Sequence, residues 1–208
     1  MSTLAVLRSR IADRLQVGTA LNSQIDEKIN AAIEHYESER FWFVETTDTF
    51  ATIASQKSYG TADDLPSDIR EIDSLKVTIA SNHFVYPKRK PYQFIESDDQ
   101  TGRTSRPLYF GFYNEKIHFL PIPDASYTVT LSYKKSFTEL SNDADTNNWT
   151  VYARQLLEHH AMMLIYADVI QNQERAMLMG ELVKSDIISL RQRSDQMLSS
   201  DEVIPTSW

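Results

Sequence analysis

Apolar positions along the chain follow two rhythms, and the rhythm changes twice. Leu4, Leu7, Ile11 and Leu15 recur at helical spacing behind Ser2 or Thr3, and Gly18 stops the run. Asn22 or Ser23 can cap a second helix carrying Ile25, Ile29, Ala32, Ile33 and Tyr36, with Asp26 and Glu27 placed to complement its dipole. Near Arg40 the period changes, and Phe41, Trp42, Phe43 and Val44 lead densely into β structure. Leu75, Val77 and Ile79 then alternate with Lys76 and Thr78, and Tyr127, Val129, Leu131 and Tyr133 alternate with Thr128, Thr130 and Ser132. Ile117 and Phe119 face one way, Lys116 and His118 the other. Tyr113-Asn114-Glu115-Lys116 reads as a hairpin turn and Pro121-Ile122-Pro123-Asp124 as the next reversal, so three strands over 107–113, 116–120 and 126–133 are expected to form a meander. Pro91 sits at the permitted first-turn place of a short helix over 92–96.

Helical spacing returns after the polar run Ser141 to Asn148. From Tyr152 to Ile170 apolar residues lie on nearly every face, which predicts a central helix; a last helix over about 173–198 carries Met179, Leu182, Val183, Ile187, Leu190 and Met197 on one stripe. Sequentially remote amphipathic helices reach stability by covering one another's apolar stripes. The expected fold is therefore α+β: a four-helix bundle built from both termini, with an inserted antiparallel β module. Residues 1–40 plus 149–199 would form the discontinuous helical domain, 41–148 the inserted β domain, and 200–208 a C-terminal tail. Trp42, Leu157, Leu164 and Leu182 are expected in the core.

Composition narrows the function. With 208 residues and 41% apolar content the chain can bury a sizeable core. Its net charge of -8 leaves no block that reads as a basic nucleic-acid arm. The absence of cysteine removes disulfides, thiolate zinc sites and cysteine nucleophiles. No apolar run approaches the roughly 20 residues of a membrane span, and Met1 to Gln16 reads as charged helix rather than signal peptide. The five glycines are too dispersed to make a phosphate-cradling loop, so kinase-like and dinucleotide-binding chemistry falls away and no cofactor is expected.

Candidate chemistry is sparse. Asp143, Asp145 and Asn147 match the first side-chain ligands of a calcium loop, but Asn148 stands where Gly is needed and Arg154 where a bidentate acid is needed. That stretch reads as a solvated loop capping the next helix. His159 and His160 point about 100° apart on a helix and cannot share one metal. No Gly-x-Ser-x-Gly elbow exposes a serine. No enzyme is expected. Two exposed features suggest contacts instead. Lys88-Arg89-Lys90, bracketed by Pro87 and Pro91, is a dense basic spot in an acidic chain, read either as a solvated loop or as a contact with an acidic partner or phosphate. Ile204, Pro205 and Trp208 place large apolar groups beyond the last helix, read either as a segment that docks on a partner or as one that frays or folds back on the same chain.

Three stretches together resemble the head–tail adaptor (connector) proteins of tailed bacteriophages. They are Leu140 to Trp149 followed by a long helical pair, Tyr59 leading to Leu65-Pro66-Ser67-Asp68-Ile69, and Pro107-Leu108-Tyr109 leading through a hairpin to Phe119-Leu120-Pro121-Ile122-Pro123-Asp124. Helical termini around a β insert are also similar to the tail tubular protein A group. The likeness spans about residues 3 to 195 and departs from the pattern at Asn142, over Thr61 to Asp64, and after Ser199. It implies a structural protein of the virion neck, assembled in the host cytoplasm, that binds beneath the portal protein as a ring, usually of twelve copies. Such a ring extends the DNA channel, passes DNA without sequence recognition, and supports a downstream tail or nozzle protein. The alternative, from the residues alone, is a monomeric module recognising a peptide or carbohydrate through its β face.

Overall fold

Thr3 opens the first helix: its Oγ1 accepts from Val6 N at 3.4 Å, and α1 runs Leu4–Leu15. The computed structural model describes residues 2–97 and 102–199. Gly18 is not the stop. Gln16 takes φ 58, and the N–H groups of Gln16 and Val17 donate back to Asp13 and Ala12, each at 3.2 Å, a left-handed cap that ends the helix two residues early. Helix α2, Asn22–His35, begins behind Leu21 without a side-chain cap and stops at Tyr36, short of Arg40. Asn147 Oδ1 accepts from Thr150 N at 3.0 Å, while Thr150 Oγ1 accepts from Asn147 N at 3.2 Å. The short helix expected behind Pro91 is α3, Tyr92–Ser97, and this reciprocal pair starts α4, Asn148–Tyr152. Ala153 (φ -115, ψ 21) breaks the expected single helix before α5, Arg154–Asp168; α6 covers Gln173–Ser199.

The chain divides into two compact units. Residues up to Val44 and from Phe137 onward make a helical unit, and Glu45–Ser136 make a β unit. The dividing points differ from 40/41 and 148/149 because Phe41, Phe43, Val44 and Leu140 are buried among the helices. Asn30 secures the second crossing, its Nδ2 donating to Leu140 C=O at 3.0 Å and its Oδ1 accepting from Leu140 N at 3.1 Å. Helix α5 lies against α1, α2 and α6, which accounts for apolar residues on nearly every face. Leu157 is fully buried, Trp42 is half-buried against the core, and Leu164 is half-buried. Leu182 corrects an expectation: it is 42% exposed. The inward stripe of α6 is Ala176, Met179, Val183, Ile187 and Leu190, and one residue of offset turns Leu182 about 100° from Val183, toward the outer side.

In the β unit, β1 (Glu45–Ala51), β8 (Thr128–Lys135), β3 (Ile69–Ala80) and β4 (His83–Val85) lie in that order in one antiparallel sheet. The second sheet runs β2 (Ser58–Tyr59), β7 (Lys116–Leu120), β6 (Tyr109–Tyr113) and β5 (Lys88–Arg89), with β5 parallel to β6. Phe50, Leu75, Val77, Val129, Leu131 and Tyr133 of one sheet share a core with Tyr59, Phe110, Ile117 and Phe119 of the other. Asn114 and Glu115, at φ 51 and 57, make the turn between β6 and β7. The expected meander stops there. Pro121 and Pro123 offer no N–H to a continuing ladder; Ile122 N donates to Arg103 C=O at 3.1 Å instead, and β8 joins the other sheet.

The hydroxyl of buried Tyr133 lies 2.9 Å from a carboxylate oxygen of Asp48 and 2.9 Å from one of Asp68, its single proton shared between them, linking β8 to β1 and to the lead into β3. Burial, then the two carboxylates, raise its phenol far above the ordinary value. Hydrogen bonds to charged groups contribute about 1.5–3 kcal/mol. Tyr133→Phe is therefore expected to lower the stability of the β unit by about that amount at neutral pH, read as a lower urea midpoint. An unchanged midpoint would show the hydroxyl to be energetically idle.

Candidate functional site

The acidic loop before α4 is fastened at every point by its own chain. Asp145 Oδ2 accepts from Ser141 N and Asn142 N, both at 2.8 Å, and those backbone donors hold its carboxyl below the usual range. Asp143 Oδ1 lies 2.8 Å from Arg8, and the C=O groups of Asp145 and Asp143 accept from Leu4 N and Ala5 N. The loop thus ties down the start of α1. Among the described residues no group of three or more His, Asp or Glu side chains is gathered to hold a metal ion.

The two adjacent histidines of α5 point to different neighbours. His159 Nδ1 lies 2.6 Å from Asp186 Oδ2, beside a cleft of about 410 Å³ lined by Tyr152, Leu156, Ser185, Ser189 and Arg193 among others. Ser189 Oγ donates to Ser185 C=O at 3.0 Å, and His159 is hydrogen-bonded only to Asp186 among the described residues, so this pair activates no serine. His160 is buried, its ring edge-on to those of His35 and Tyr36 at 4.9 and 5.2 Å. Between the helices Glu158, 2% exposed, takes Arg10 and Arg14 of α1 at 3.1 and 3.2 Å and Arg154 at 3.7 Å. The Glu158 cluster and the His159–Asp186 pair bind the helices together.

The surface of the β unit is different. Lys88 and Arg89 form an edge strand rather than a loop: Lys88 N donates to Leu108 C=O at 2.9 Å and Lys90 N to Phe110 C=O at 2.8 Å. Lys90 is half-buried, its Nζ 5.1 Å from the Phe94 ring centroid and 5.7 Å from that of Tyr109. Lys88 and Arg89 are exposed. So are Arg103 and Arg106, which the sequence reading passed over; their signal was the Arg-Thr-Ser-Arg run just ahead of Pro107. On the same unit Tyr92 and Tyr113 stack at 4.4 Å, and Tyr92 meets His118 edge-on at 4.8 Å. That cover explains why His118 is buried although it points away from Ile117 and Phe119; desolvation lowers its pKa.

A second surface lies on α6. Opposite its inward stripe, Glu174, Met177, Leu178, Glu181, Leu182 and Ser185 follow one another at spacings of three, one, three, one and three, and all are exposed. Ile204, Pro205 and Trp208 lie outside the described residues.

The family model described as SU10 adaptor protein matches residues 2–203. The chain belongs to that family, a bacteriophage head–tail adaptor family. No curated protein matches it. An adaptor is a structural protein, and that role agrees with Glu158, Asp186 and Asp145 holding helices and a loop. No helix among the described residues of this adaptor is long and apolar enough to cross a membrane.

Proposed function

We propose that this adaptor assembles as a ring, usually of twelve copies, beneath the portal protein in the virion neck. The ring extends the DNA channel, carries a downstream tail or nozzle protein, and acts passively in DNA retention and ejection. The helices from the two ends of the chain act as one four-helix scaffold bearing the β unit, and residues 200–208, with Ile204, Pro205 and Trp208, dock on the portal or a neighbouring copy. Family membership over residues 2–203 carries this reading. Two further properties support it. Closed rings need unlike surfaces that meet head to tail, and the β unit and α6 offer unlike surfaces. A net charge of -8 per copy, repeated around a channel, repels the DNA backbone and keeps it from adhering in transit.

Electron microscopy of the full-length chain mixed with its cognate portal tests the proposal. Rings seated beneath the portal are expected. Deleting residues 200–208 should leave the far-ultraviolet circular dichroism unchanged and reduce the fraction of portals carrying a ring. Bare portals at saturating adaptor would overturn the assembly; full occupancy by the truncated chain would overturn the docking role of the tail.

A further inference from the structure

Charge is divided unequally between the two units. Glu45–Ser136 carries 11 Lys and Arg against 12 Asp and Glu, whereas the remaining residues carry 10 against 17. The β unit is nearly balanced and the helical unit holds almost all of the negative excess. Within the β unit the exposed cations Lys88, Arg89, Arg103 and Arg106 form no salt bridge with a described residue. They are close along the fold. Lys88 N donates to Leu108 C=O, two residues from Arg106, and Arg103 C=O accepts from Ile122 N just past the strand that receives Leu108 N. Two large apolar side chains lie among them, Tyr86 at 64% exposure and Leu108 at 42%.

The outer face of α6 has the opposite charge and the same need. Met177 is 72% exposed and Leu178 59%, a degree of apolar exposure that gains from cover. Glu174 and Glu181 border them on the same face. Among the described residues Glu181 pairs with Lys184 at 2.8 Å, both side chains about 70% exposed, so exchanging this pair costs little.

We propose that the basic edge around Lys88, Arg89, Arg103 and Arg106 of one copy docks on the outer face of α6 of the next copy. This rests on the ring reading above and specifies which surfaces build it. Each patch repels a copy of itself, so a two-fold contact pairing like with like is disfavoured, whereas basic on acidic repeats head to tail, the kind of contact from which closed rings are built. Apolar groups meet apolar groups in the same arrangement, Tyr86 and Leu108 against Met177, Leu178 and Leu182. Tyr is a favoured interface anchor, and opposite charges at the border set the register and make assembly salt-sensitive.

Because the chain has no cysteine, position-specific crosslinking reads this contact directly. Arg89→Cys and Glu181→Cys chains are mixed in equal amounts with cognate portal and treated with a short bismaleimide. Mixed dimers are expected at high yield from rings, with neither variant alone giving dimers. In a second arm, Lys88→Glu/Arg89→Glu/Arg106→Glu should lower ring occupancy about tenfold. Adding Glu174→Lys/Glu181→Lys to the same chain should restore it. Rings that form normally but yield no mixed crosslink, or a basic-patch variant that assembles like the parent, overturn this contact while leaving the ring intact. A basic-patch variant that assembles normally but no longer retains DNA assigns the patch to the channel and likewise overturns it. Absence of rings from the unaltered chain overturns the ring reading and this contact with it.

Discussion

Trp149→Ala is expected to lower the unfolding free energy of the helical unit by about 3–5 kcal/mol. Trp149 is 5% exposed and is enclosed by aromatic rings, edge-on to Phe41 at 5.5 Å and Phe43 at 5.1 Å and stacked with Tyr36 at 6.2 Å. Truncation removes the largest side chain type from a site walled by three rigid rings, at the end of α2 and on the Phe41–Phe43 stretch, so little of the void can collapse. A loss of that size is a large share of a stability of about 5–15 kcal/mol. Leu182→Ala supplies the contrast. Its side chain lies on the exposed face of α6, and a change there is expected to stay within about 0.5 kcal/mol. Urea unfolding followed by Trp fluorescence for Leu182→Ala, and by circular dichroism for both, distinguishes the two. A loss at Leu182 as large as that expected for Trp149 would mean that Leu182 faces inward.

Acid should weaken the helical unit through His160, by an amount that a single substitution removes. Burial, then the neighbouring His35, push its pKa from 6.5 down to about 4, and its Nδ1 has no hydrogen-bond partner among the described residues. The rings of His35 and Tyr36 pack on it from α2 and its cap. Neutral His160 is thus the form that fits. Between pH 6.5 and 4 the unfolded chain binds this proton and the folded chain does not, so the folded state loses ground as pH falls. The contribution is fully present above pH 6.5 and gone below about 4, a total of about 3 kcal/mol. His160→Phe keeps an aromatic ring at the site and cannot take up the proton. Urea midpoints at pH 7 and pH 4.5 should therefore fall less for His160→Phe than for the parent. Parallel falls in the two proteins would place the acid sensitivity elsewhere.

Periodicity carried most of the architecture. Leu4, Leu7, Ile11 and Leu15 are all buried on α1, and Val129, Leu131 and Tyr133 alternate inward on β8, because local spacing alone decides which face a residue joins. What failed was decided at a distance. The short β2 and β5 strands depend on pairing partners far along the chain, so no local rhythm announces them. β8 changes sheet because prolines withhold donors at the turn before it. Leu182 was misplaced because α6 carries two apolar stripes, Met179, Val183 and Ile187 inward and Met177, Leu178 and Leu182 outward. An apolar stripe on the exposed face has the same spacing as one that faces the core. The basic edge was legible at Lys88 and Arg89, but Arg103 and Arg106 join it only through the pairing of β5 with β6 and of Thr104 with Ile122.

The pinning of α1 by the Asp143–Asp145 loop also fixes a timetable. While the chain is being synthesised, α1 and α2 emerge about a hundred residues ahead of Leu140, Trp149 and Leu157, which cover their apolar faces. At about 5–20 residues per second the ribosome leaves those faces uncovered for several seconds. The β unit is continuous in sequence, from Glu45 to Ser136, so it can close on the nascent chain during that wait. The helical unit is completed last, after the β unit.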